Sequence, residues 1–154
     1  MSINLIPPTL LKTHWDAIRA GALEAGREAD LSTWRVAREI FVAETSAEAR
    51  KHALDGVMAR DFQDYFLRLL PKVGMLQLLK NDPNMADSDV TMEYLVDNLF
   101  IVGNVDEVTQ KLNDLKGEVG QFGTLLAMGH EWDPEGAWHQ SMSLLKNEVL
   151  PNLS

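Results

Sequence analysis

The chain of 154 residues contains no cysteine. That absence excludes a disulfide scaffold, thiolate metal sites and a cysteine nucleophile, and it fits a reducing, cytoplasmic setting. Basic residues are scarce, with 14 Lys and Arg against 23 Asp and Glu and a net charge of −9. A nucleic-acid partner needs a basic face to neutralise phosphates, and an anionic membrane surface repels such a chain. Small molecules and protein partners remain. Long hydrophobic runs are missing as well. No apolar stretch approaches the roughly 20 residues that span a bilayer, and no basic-then-apolar leader is recognised, so no membrane span is expected. Phosphate-cradling motifs are lacking too. Neither Gly103-Asn104 nor the glycines at 117, 120 and 123 match GxGxxG or the P-loop, and Ser141 and Ser143 have no GxSxG elbow around them.

What is present is ordinary globular material, 45% apolar and 24% charged, enough for one domain. Residues 124–129 (TLLAMG) form a short apolar run flanked by glycines and read as a strand. The run opens into His130-Glu131-Trp132. Asp133 then reads as a helix cap and Pro134 as the first residue of a helix ending near Pro151. Upstream, residues 34–43 (WRVAREIFVA) read as a second strand, with Trp34, Val36, Ile40 and Val42 on one face and Arg38 interrupting it.

Helices fill most of the rest. The opening SINLIPP reads as a strand end feeding a turn. A helix from Pro8 or Thr9 follows, carrying Leu11, Trp15, Ile18, Ala22 and Ala25, and Gly26 is its natural stop. Thr45 to Glu48 is a capping box for a helix reaching about Leu70, before Pro71. A short helix over 75–80, a loop over 81–89 (NDPNMADSD) and a helix over 91–100 come next. A brief apolar segment at Ile101-Val102 follows, then a helix capped at Asn104 that runs to Leu115 or Lys116. The expectation is a single, predominantly helical domain with about two full strands. Two strands leave unpaired borders, which proteins avoid, so either the missing strands come from another chain or copy or the helices carry the fold alone. The leucines at 67, 69, 70, 76, 78 and 79, with Met75, read either as ordinary core or as a self-association surface.

Four segments carry a resemblance: MSINLIPPTLLKTHWDAI, WRVAREIFVAETSAEAR, TMEYLVDNLFIVGNVDEVTQKL and FGTLLAMGHEWDPEGAWHQSMSLLKNEVLPNL. In this order they resemble the C-terminal portion of bacterial luciferase-like, flavin-dependent monooxygenases, nearest to the limonene-monooxygenase-type branch. The resemblance implies α/β architecture, the C-terminal fragment of a (β/α)8 barrel. It also implies FMN as cofactor, molecular oxygen, and a small organic substrate. The N-terminal part of that barrel, with the family's catalytic histidine, has no counterpart here. The implied partners are therefore a complementing N-terminal barrel part or further copies in a homo-oligomer. A non-enzymatic helical self-association module derived from that family is the alternative.

Strand-to-loop placement makes His130 and Glu131 the catalytic candidates, because parallel α/β folds put their chemistry in loops at strand C-termini. His130 can donate to a ligand oxygen, and Trp132 can stack on a planar ring. Arg38 in the strand and Glu44 at its end are the other cofactor-binding candidates, each with a bland alternative as a paired or helix-capping charge. The spacing of His130, Glu131 and His139 does not make a metal motif, which requires two histidines four apart on one helix.

Overall fold

The computed structural model describes residues 5–153. The predicted strand end at the start of the chain falls largely outside these residues, and the described Leu5 and Ile6 are a turn and a bend. Helix α1 (Pro8–Glu24) begins on a proline, whose missing N–H is harmless in a first turn. It closes at Gly26, which takes φ 66°. Arg27 N–H donates to the Ala22 carbonyl and Gly26 N–H to that of Leu23, the bond pair that ends a helix on a left-handed glycine. Of the predicted apolar stripe only Leu11 is buried, and Ile18 and Leu23 stay exposed.

Strand β1 (Arg35–Val42) follows where alternation placed it. The single long helix expected after Thr45 is instead interrupted. Helix α2 (Ser46–Asp55) stops at Gly56, and α3 (Val57–Asp61) runs through a π-helical turn at Phe62–Phe66 into α4 (Leu67–Lys72). Gly56 makes the break because a Cβ there would lie 2.5 Å from the His52 carbonyl oxygen. Pro71 sits inside the final turn of α4 without ending it. A 3-10 turn at Leu76–Leu79 stands where a short helix was expected. Buried Lys80 then ties down the following loop, donating to the Met85 carbonyl at 2.5 Å and to Asp87 at 2.6 Å.

Helix α5 (Met92–Asn98), capped by Thr91, leads into β2 (Ile101–Gly103). Helix α6 (Val105–Val119) carries the Asn104–Glu107 capping box and continues through Gly117 to a stop at Gly120, φ 93°, four residues beyond the predicted end. Strand β3 (Thr124–Met128) precedes α7 (Glu135–Leu144). Pro134, extended at ψ 135° after a cis peptide bond, takes the cap position itself, so Asp133 is not the cap.

The three strands form one parallel sheet in the order β2–β1–β3. Two are full strands, and β2 is only three residues long. On one face Trp34, Val36, Ile40 and Val42 pack against Val108, Leu112 and Leu115 of α6. On the other, Phe41 and Ala43 meet α2, Phe62, Leu95 and Trp138. Most of the 67–79 leucines join or pad this second cluster, with Met75 exposed. At the end of β1, where β3 has already departed, the Val42 N–H is taken by the buried Ser141 hydroxyl at 2.8 Å. None of the described helices is long and apolar enough to cross a membrane.

Candidate functional site: a buried imidazole between two carboxylates

Parallel strands all end at one side of the sheet, and β3 delivers its exit loop there. Met128, its last residue, lies in register with Glu39 of β1. His130, two residues on, has its Nε2 2.6 Å from Glu39 Oε2 and its Nδ1 2.8 Å from Asp61 Oδ2. Asp61 belongs to α3, so the ring joins the central strand to the helix that follows it. Arg60 extends the chain of charges, reaching Asp61 at 3.0 Å and Glu131 at 3.1 Å. Phe62 and Trp138 wall the ring at 6.3 and 6.0 Å between centroids.

The His130 side chain is 10% exposed and that of Glu39 2%, whereas Asp61 keeps 34%. Burial by itself lowers the imidazole pKa, but the hydrogen bonds and charges of Glu39 and Asp61 outweigh it and hold it above the ordinary histidine value. Asp61 shows the mirror effect. Partial burial raises its pKa, and His130 and Arg60 together bring it below the usual carboxylate range. Carboxylates accept hydrogen bonds and cannot donate them when ionised, so a ring bridging two of them carries a proton on each nitrogen. The carboxylates sit on opposite nitrogens and do not converge on one point. Among the described residues, no group of three His, Asp or Glu could hold a metal ion.

The predicted site residues separate. His130 is central, but with both nitrogens engaged it has no N–H left to offer a ligand in this arrangement. Glu131 borders the site through Arg60. Trp132 lies on the rim, edge-on to His139 at 4.9 Å, and the position of a Cβ on Gly129 would be 3.0 Å from its Nε1. Arg38 points to the opposite face, beside the Val36 and Ile40 side of the sheet, where burial lowers its guanidinium pKa to about 10. Glu44 is exposed and accepts from Gln140 at 2.9 Å. His139 pairs with Glu135 at 3.2 Å. Glu39 had a signal in the sequence, a carboxylate inside a strand. Asp61 had none, being one acid among many on a helix 69 residues from His130. The wide grooves of about 580 and 680 Å³ beside α1 share no residue with this site.

No family model matches the chain. Individual relatives do. The chain is 35% identical over 93% of its length to a 3,6-diketocamphane 1,6-monooxygenase of Pseudomonas putida, and it covers 38% of that protein. It is 25% identical to a limonene 1,2-monooxygenase of Rhodococcus erythropolis, covering 35% of it. Among solved structures, it superposes on the oxygenating constituent of 3,6-diketocamphane monooxygenase from Pseudomonas putida with a TM-score of 0.87 and 34% identity. That structure is a type II Baeyer–Villiger monooxygenase in complex with FMN, and the match covers 96% of this chain and 41% of the other. The chain thus spans about two fifths of the length of these diketocamphane monooxygenase relatives.

Proposed function

We propose, starting from this kinship with luciferase-like flavin monooxygenases, that the chain supplies the C-terminal part of a barrel-type, FMN-dependent monooxygenase. The observation that carries the reading is the 0.87 TM-score at 34% identity to an FMN-bound oxygenating subunit. In such an enzyme reduced flavin and oxygen deliver one oxygen atom to a small organic substrate, of which the diketocamphanes of the relatives are the model, and the second oxygen leaves as water. This chain's contribution is one wall: the paired strands β1 and β3, the crossover helices, and the rim loop after β3.

The residues at the strand ends do not make a whole FMN site. FMN joins a flat ring to a phosphate dianion, and Arg60 is already committed to Asp61 and Glu131. The neighbouring cleft of about 340 Å³ sets Asp61 and Asp64 against that one arginine, a poor seat for a phosphate. Trp132 at the rim can offer a ring face, but the phosphate-binding cations must come from outside this segment. His130 is accordingly a positioning residue for the rim loop.

The test is an FMN titration followed by flavin fluorescence, on the chain alone and mixed with the N-terminal remainder of a full-length relative. Saturable binding in the mixture and none by the chain alone is expected. Tight FMN binding by a monomer of this chain would overturn the incomplete-wall reading. No binding in a mixture shown to associate would overturn the flavin reading. Self-association, the competing idea, draws on exposed Val73 and Met75, and light scattering of the purified chain decides it.

A further inference from the structure

We propose that the loop between β3 and α7, residues 129–134, is a strap fastened across the strand ends by doubly protonated His130 and released when that ring loses a proton. The inference rests on the geometry of this chain alone and does not depend on the flavin reading.

The loop has little else to hold it. Ahead of Pro134, whose carbonyl accepts from Ala137 and Trp138 at the start of α7, Asp133 N–H donates to the Glu131 carbonyl at 2.8 Å, a bond of the loop to itself. Its polar ties to the body are the two contacts of His130 and the pair of Glu131 with Arg60, beside ring contacts of His130 with Phe62 and Trp138 and of Trp132 with His139. The pair of Glu131 with Arg60 is exposed on both sides, and such surface pairs are weak and screened by salt.

Removing one proton from the ring sets a bare nitrogen lone pair against a carboxylate, so one of the two contacts must fail. Which one fails follows from exposure. Glu39 lies on the central strand and has no route to water, while Asp61, a third exposed at the end of α3, can turn and be hydrated. The remaining proton stays on the Glu39 side, and the fastening to α3 is lost. Arg60 pairs with both Asp61 and Glu131, so Asp61 keeps an arginine partner when it turns from the ring. The π turn presents Phe62 and α7 presents Trp138, and the titratable groups of α7, Glu135 and His139, pair with each other. The raised imidazole pKa places the release above the pH at which a free imidazole would let go. Release frees Trp132 and uncovers the rim.

Two measurements on the whole chain test this: a nitrogen-15 NMR titration of the histidines, and amide exchange of residues 129–134 corrected for its intrinsic pH dependence. His130 is expected to titrate above the free-imidazole value of about 6.5. The loop's opening constant should rise by up to about tenfold per pH unit between that value and the folded midpoint, then level off. Asp61→Asn, at a position a third exposed, should fold normally by circular dichroism, lower the midpoint, and shift the loop's opening to lower pH. His130→Gln should give an open loop with a flat pH profile. Loop exchange that ignores the His130 titration, or an Asp61→Asn variant with an unchanged midpoint and unchanged loop, would sink the proposal.

Discussion

Glu39 and His130 are 91 positions apart, yet their side chains form the tightest polar contact of the strand-end site, and almost no water reaches it. Burying a carboxylate is tolerated because the imidazolium sits against it, so removing the ring has a larger effect than its size suggests. His130→Gln is expected to cost about 3 kcal/mol in a urea melt, the lower end for breaking a buried ion pair. The pH dependence follows from the two shifted groups. The folded pKa of His130 is raised, so its contribution is complete below about 6.5 and fades as pH climbs through the folded value. The folded pKa of Asp61 is lowered, so its contribution is present above the ordinary aspartate value of 3.8 and disappears as acid takes the pH through the folded value. Stability should therefore peak between these limits, and the alkaline decline should vanish in His130→Gln.

At the scale of elements, two joints fix how the pieces meet. Ser141 on α7 receives the Val42 N–H where β1 runs past the end of β3. Ser141→Ala leaves that buried donor unsatisfied and should cost about 1–3 kcal/mol, measurable as a lower urea midpoint with an unchanged slope. Gly123 is the other joint, its N–H directed to the Leu31 and Trp34 carbonyls. A Cβ there would fall 1.5 Å from the Ser32 carbonyl oxygen, so Gly123→Ala forces backbone apart and should destabilise by at least the roughly 1–3 kcal/mol of ordinary overpacking. The elements themselves were largely legible. The alternation of β1, the Thr45 and Asn104 caps and the Gly26 stop are local chemistry, visible residue by residue. The break at Gly56 was missed because a glycine inside a helical pattern looks tolerable until its neighbour's carbonyl is located. The Asp61–His130 contact was missed for a related reason: nothing local marks which acid on a helix will meet a loop far downstream. The faces of β1 were read correctly; Arg38, a ligand-side candidate with a paired charge as its alternative, lies on the face opposite the one from which Glu39 meets His130.

For the whole molecule, the governing fact is that the chain, with a parallel sheet of three strands among its described residues, spans about two fifths of the relatives' length. Among the described residues β3 pairs with β1 alone, so its outer backbone groups form a sheet edge, which the proposed reading fills with a strand from elsewhere. Leu126, half-buried at mid-strand, tests this directly. A lysine at an edge deters strand addition, so Leu126→Lys should keep the circular dichroism spectrum of the chain while abolishing FMN retention in the mixture with an N-terminal part.

The bare side of β3 also sets a clock. On the proposed reading, a copy awaiting an N-terminal part can dock onto another copy's border instead, a second-order loss that grows with the square of concentration while productive capture grows with the partner's abundance. Stoichiometric co-expression, more than cooling or slower synthesis, is then what should rescue yield from inclusion bodies.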